Sequence, residues 1–125
     1  MNTRFLRCKH CGNIVGVIHD AGVPIFCCGQ PMEELTPNTV EASGEKHVPV
    51  ASVENGVLTV QVGSVEHPMV PEHFIMWVYV KTENGGHRIQ LKPGDAPRAV
   101  FHLGDEKPVA VYAYCNLHGL WMTEL

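Results

Sequence analysis

Two groups of metal-type ligands stand apart in this sequence. Near its start are Cys8-x-x-Cys11 and the adjacent pair Cys27-Cys28; later come His47, His67, His73, Cys115 and His118. The first group uses every cysteine but one, and the second takes that last cysteine together with half of the eight histidines. Four thiolates saturate a tetrahedral ion, which can then hold a fold or pass an electron. Four imidazoles and a thiolate are too many ligands for tetrahedral zinc, and they leave one position of an octahedron free for a substrate. Imidazole suits iron, copper, zinc or nickel, and a lone thiolate among nitrogens points to a redox metal. A thiolate opposite the free position would push electron density toward a bound oxygen species, as it does in haem sites.

Within the first group, the two-residue spacer lets Cys8 and Cys11 reach one ion, and Gly12 keeps the turn open. Cys27-Cys28 has no spacer, so a site built on it is expected to depart from a regular tetrahedron. A structural zinc knuckle is the plainer reading of four cysteines, iron the second and a vicinal disulfide the third. His10 and His19 lie near a tetrahedron that is already complete and read as surface residues.

In the second group, the prolines of His67-Pro-Met-Val-Pro-Glu-His73 exclude a helix, so its two histidines must converge through a loop. Each histidine alone would be an ordinary loop residue. Their shared placement at strand ends, beside the one remaining cysteine, favours a common site. Glu45 and Lys46 stand directly before His47; apart from the site they would be a solvated charge pair. His87 and His102 fall inside strand patterns and read as solvent-facing.

The elements that must position these ligands are mainly strands. Val48–Val53, Val57–Val62, Phe74–Lys81, His87–Leu91, Arg98–Leu103 and Val109–Tyr114 are rich in β-branched and aromatic residues and are separated by turn signals. Asn55-Gly56 is a two-residue hairpin turn needing positive φ at both positions, and Glu83-Asn84-Gly85-Gly86 closes a second hairpin. Further reversals fall at Lys92–Asp95 and Gly104–Pro108. No window carries a helical stripe. The expected fold is mainly β, an immunoglobulin-like antiparallel β-sandwich over residues 45–125. Residues 37–44 (PNTVEASG) read as a linker. Residues 1–36, with short β-like runs at Asn13–Ile18 and Val23–Phe26, form a small knuckle that needs a bound metal for much of its stability.

With 125 residues, 45% of them hydrophobic, the chain supports one proper core with a small appendage. A net charge of −4 with scattered Lys and Arg gives no basic stripe, which argues against nucleic acid as a partner. No run approaches a membrane span, and the first residues lack the apolar stretch of a signal peptide, so a cytoplasmic location is expected. Five cysteines, an odd number, in such a setting point to metal or redox use rather than a disulfide framework.

The order of motifs resembles one family over nearly the whole chain. Cys8-x-x-Cys11, Cys27-Cys28, Glu45-Lys-His-Val-Pro49, His67-Pro-Met69, Glu72-His73, Leu91-Lys-Pro-Gly-Asp-Ala-Pro97 and Cys115-Asn-Leu-His-Gly119 are similar to the corresponding segments of desulfoferrodoxin, the two-iron class of superoxide reductase. The resemblance implies a desulforedoxin-like iron centre on Cys8, Cys11, Cys27 and Cys28. It also implies a catalytic iron with His47, His67, His73 and His118 in the equatorial plane and Cys115 as axial ligand. The implied reaction is one-electron reduction of superoxide to hydrogen peroxide. By resemblance, Lys46 attracts the anion and positions water for protonation, and Glu45 occupies the free position in the resting state. The N–H groups of Leu117 and His118 temper donation by the Cys115 sulfur. The family also implies an external electron donor such as rubredoxin, a role in oxidative-stress defence, and a homodimer. Competing readings are an electron-transfer protein without its own catalysis, a zinc-binding structural module, and a superoxide dismutase.

Overall fold

The structure, a computed structural model, describes residues 3–125 and divides after Thr36 into two compact units, the second being Pro37–Leu125. In the first, β1 (Arg4–Arg7) lies between β2 (Ile14–Val17) and β5 (Glu33–Glu34) in an antiparallel sheet, and β3 (Phe26–Cys27) pairs with β4 (Gln30–Pro31) as a separate hairpin. The sequence reading places no strand at Arg4–Arg7. Its two apolar residues, Phe5 and Leu6, are adjacent and both buried, so the run shows no alternation. Only Phe5, Leu6 and Cys8 are buried hydrophobic residues among those described in this unit. At about 1.5–3 kcal/mol per buried side chain, so small a core cannot offset the entropy of ordering some thirty residues, and metal ligation has to contribute.

The second unit is a two-sheet antiparallel β fold. One sheet has the order β10 (Arg98–His102), β7 (Val57–Val62), β6 (Pro49–Glu54); the other has β12 (Gly119–Glu124), β11 (Pro108–Cys115), β8 (Ile75–Thr82), β9 (Gly85–Gln90). Period-two burial on β7 and β10 turns Leu58, Val60, Val62, Ala99 and Phe101 inward. They share one core with Ile75, Val78 and Val80 of β8 and Val111, Ala113 and Cys115 of β11. Central β11 is buried on both faces from Ala110 on. On the face away from this core, Trp77 stacks on Tyr114 at 5.6 Å and Tyr79 lies 6.0 Å from Tyr112.

Asn55 and Gly56 both have positive φ (51° and 74°), as the hairpin signal requires. The second hairpin turns on Glu83-Asn84 alone, with Gly85 and Gly86 inside β9. Gly86 is there because the Tyr79 ring crosses it: a Cβ at this position would meet the Tyr79 hydroxyl at 1.8 Å. Strand β12 goes unrecognised in the sequence, since Cys115-x-x-His118 reads as an ending rather than as a turn between paired strands. One four-residue helix, α1 (Gly44–His47), begins within the stretch read as a linker. That stretch is held along β12, where the Asn38 side chain donates to the Met122 carbonyl (3.1 Å) and accepts from the Met122 N–H (2.9 Å).

Candidate metal centres

In the first unit the sulfurs of Cys8, Cys11, Cys27 and Cys28 all lie within 4.8 Å of one another. Cys8 directly follows β1, and the turn from Cys8 to Asn13 is closed by Gly12 N–H to Cys8 O (2.9 Å) and Cys8 N–H to Asn13 O (2.8 Å). The adjacent pair converges by a backbone device. Cys27 ends β3, while Cys28 and Gly29 form the two-residue turn to β4 with φ of 52° and 74°. A left-handed conformation costs a non-glycine residue about 1–2 kcal/mol, and here it swings the Cys28 sulfur to the same side as Cys27, 4.0 Å away. The Cys11 N–H helps lower the Cys8 thiol to about 6, whereas crowding by Cys11 and Cys8 pushes Cys28 up to about 12. Protons are thus shared unequally among sulfurs that a cation would hold as thiolates. His10 and His19 are exposed.

The second centre is a ring of imidazoles. Neighbouring centroids in the order His47, His67, His73, His118 are 4.5, 4.6 and 5.1 Å apart, the circle closes from His118 to His47 at 4.9 Å, and the His47–His73 diagonal is 6.2 Å. Adjacent rings meet edge to face, so their nitrogens converge on one centre. His47 ends α1; His67 and His73 lie on the loop between β7 and β8. Cys115 ends β11, and His118 lies in the three-residue turn to β12, closed by Gly119 with φ of 78°. A β-bulge in β8 brings Ile75 opposite Cys115 directly after the Trp77–Tyr114 pair. The fully buried Cys115 sulfur lies 3.9 Å from His118 Nδ1, and its atom joins those of His47, His67 and His73 within 4.8 Å.

The hydrogen bonds show that these residues fit a metal ion. His47 Nδ1 donates to the Ser43 carbonyl and His67 Nδ1 to the Pro68 carbonyl, both at 2.7 Å, which leaves each neutral ring a bare lone pair on Nε2. Those two Nε2 atoms face each other at 3.1 Å, and His118 Nδ1 lies 3.1 Å from His47 Nε2. His73 Nε2 is buried without any partner. Lone pairs directed at one another repel, and protonation is disfavoured: burial, then the neighbouring rings, holds His67 down at about 4, and burial lowers His47 and His73. A cation is the acceptor that resolves the conflict. Burial raises the Cys115 thiol, while the N–H groups of Leu117 and His118 oppose that rise by favouring the thiolate.

Supporting residues beyond the ligands come from elsewhere in the fold. Trp121 stacks on His47 at 4.9 Å and its Nε1 donates to the His118 carbonyl (3.1 Å). Gly94 N–H donates to the Met69 carbonyl at 2.9 Å, so the Leu91–Pro97 segment braces the His67 loop. Beneath α1, Val65 N–H and Ser64 Oγ donate to the Glu45 carbonyl at 2.9 and 3.3 Å. A Cβ on Gly63 would lie 2.7 Å from that carbonyl oxygen and 2.6 Å from the Lys46 carbonyl oxygen. Glu45 and Lys46 themselves are exposed, and the Lys46 charge is one of the influences lowering His47 and His73. His87 and His102 are exposed, and His87 pairs with Glu106 at 2.9 Å.

The low His67 value carries a test on the metal-free protein. A histidine near 6.5 when unfolded but about 4 when folded makes the unfolded state bind more protons between those values, so stability is full above 6.5 and falls as pH drops toward 4. Thermal melting of the metal-free protein should fall across that window. His67→Phe should flatten the dependence, although His47 and His73 shift the same way. A melting temperature constant from pH 7 to 4 would contradict the assignment of a buried neutral ring.

The desulfoferrodoxin family model matches residues 39–124, and the desulfoferrodoxin N-terminal domain model matches residues 2–35. The chain is 48% identical over 118 residues to a desulfoferrodoxin of Syntrophotalea carbinolica, covering 94% of this chain and 93% of that one. It is 45% identical to a desulfoferrodoxin of Nitratidesulfovibrio vulgaris over the same shares. Among solved structures it resembles the superoxide reductase of Treponema pallidum, with a TM-score of 0.84 and 35% identity over 99% of this chain and 100% of the other. Similarity this extensive, across both ligand groups, places the chain in the desulfoferrodoxin family.

Proposed function

We infer that this protein is a superoxide reductase, which combines superoxide with one electron and two protons to give hydrogen peroxide. The observation that carries the reading is the ring of four imidazoles with a buried thiol, next to an exposed lysine. His47, His67, His73, His118 and Cys115 would hold iron, which when bound supplies the electron. Cys8, Cys11, Cys27 and Cys28 would hold a second iron. Carbonyl acceptors hold His47 and His67 in the tautomer that offers lone pairs inward, and burial keeps His67 neutral. Leu117 and His118 N–H groups temper the Cys115 sulfur. Lys46 draws the anion to the site and holds the water that delivers a proton. Glu45, on the same turn, would offer its carboxylate to the bound iron between turnovers.

In a chain of net charge −4, only a local positive potential can attract an anion, and Lys46 acts within a Debye length of about 8 Å at physiological salt. An electron carrier such as rubredoxin restores the reduced state. Five free cysteines suit a reducing cytoplasm, where the activity serves oxidative-stress defence. Ile18, Val23 and Phe26 expose 99%, 70% and 60% of their surface on the small unit, apolar area that a second copy would cover in a homodimer. Among the described residues no helix is long and apolar enough to cross a membrane.

The direct test starts from metal analysis and visible absorption of the oxidised and reduced protein, followed by superoxide addition. Two irons per chain are expected, with the histidine centre bleaching on reduction and recovering after superoxide. One peroxide should appear per superoxide consumed, without dioxygen. Release of dioxygen during turnover would mean dismutation, and two colourless zinc ions would end the redox reading.

A further inference from the structure

We propose that Asn116 is a positioning residue that fixes His73 against Cys115 and His118, setting the geometry and metal retention of the five-ligand centre. Asn116 occupies the β11–β12 turn between these two ligands, where a polar side chain would ordinarily point into water. Instead it is half-buried and reaches a segment more than forty positions earlier. Its Oδ1 accepts from the Phe74 N–H at 2.9 Å, and its Nδ2 donates to the Glu72 carbonyl at 3.1 Å. Its own N–H donates to the Phe74 carbonyl at 3.2 Å. These three bonds grip the residues on either side of His73.

His73 needs such a grip more than the other rings do. His47 and His67 are each oriented through Nδ1 by a carbonyl, and the His118 backbone is held by Trp121. The buried Nε2 of His73 has no hydrogen-bond partner, and one nitrogen of the ring lies within 4.8 Å of the ligand atoms of His47, His67 and Cys115. Its direction therefore depends on its backbone. That backbone is pinned on one side by the reciprocal Val70–His73 bridge, both bonds 3.0 Å, and on the other by Asn116. The grip also ties the His73 loop to the strand end that carries the sulfur. Only a short primary amide supplies an acceptor and a donor at this reach. Aspartate keeps the acceptor alone, leucine keeps neither, and glutamine is a methylene too long.

The inference rests on iron occupying this centre, not on superoxide being the substrate, so its test reads the metal. In the iron-loaded full chain, Asn116→Leu should release iron from the histidine centre to a chelator about 10–100-fold faster, the range typical of losing a partner that orients a ligand. The sulfur-to-iron absorption band should shift in position, because the sulfur and His73 are no longer held in register. Absorption of the four-cysteine centre should stay as in the parent, while metal-free thermal melting should drop modestly because the Phe74 N–H loses its acceptor. Asn116→Asp, which retains the bond from Phe74 N–H, should fall between the two. Parental release rate and band position in Asn116→Leu would overturn the proposal. If Asn116→Leu fails to fold, parental behaviour of Asn116→Asp overturns it and graded loss in Asn116→Asp supports it. A negative superoxide assay alongside shifted iron retention would sink the reductase reading while leaving this one standing.

Discussion

Replacing Cys115 by serine should abolish turnover with superoxide, by on the order of 10²-fold or more, above the loss expected for a partner outside the ligand set. The iron-loaded variant should also lose the sulfur-to-iron absorption band while the four-cysteine band persists. Cys115 is fully buried at the end of β11, where serine fits without steric cost. The lost property is chemical: a soft, polarisable donor gives way to a hydroxyl that does not ionise in a buried setting. The N–H groups of Leu117 and His118, arranged to favour a thiolate, would face a neutral oxygen instead. Rapid-mixing or pulse-radiolysis measurement of superoxide decay, with iron content checked first, makes the comparison. A Cys115→Ser protein that binds iron and turns over at the parental rate would show that the thiolate has no part in the reaction.

Removing the positive charge at position 46 should slow the encounter with superoxide, the step that precedes proton delivery. For Lys46→Ala, we expect the second-order rate at low salt to fall about tenfold, within the range by which local potentials raise association rates. The salt dependence should flatten as well, because the steering charge is gone. Iron content and absorption should remain parental, since Lys46 is exposed and contributes no ligand. Lys46→Arg should restore most of the rate if charge is what matters. The placement of the lysine supports this division of labour: its charge reaches His47 and His73, while its carbonyl sits over Gly63. An unchanged low-salt rate in Lys46→Ala would remove the lysine from the encounter step.

Gly63 explains why that turn is so well defined. Its φ is +84°, and any Cβ there would collide with the Val65, Lys46 and Glu45 carbonyl oxygens. The sequence gives little warning of this seat, because Val62-Gly63-Ser64 reads as an ordinary strand end. Trp121 is equally silent in sequence, where it looks like one more aromatic near the C-terminus. Asn116 lies inside the Cys115–Gly119 motif, yet nothing in the motif says which backbone its amide meets.

What the sequence alone determined was the chemistry and the class of fold. Ligand type is a property of the side chain, so thiols and imidazoles grouped at ligand spacing point to transition metals. Strand periodicity is likewise local, which is why the core strands of the second unit were legible to within a residue or two. Strands β1 and β12 were not, because adjacent inward residues and a ligand-bearing turn hide the alternation that marks a strand. Tertiary structure alone decided how ligands separated by up to 71 positions close into one ring, and which nitrogen each presents. The inward lone pairs on His47 and His67 follow from carbonyls that sequence does not pair with them. The grip on His73 depends on a contact between turns more than forty residues apart. Convergence of this kind is set by the packing of two sheets, and no local pattern encodes it.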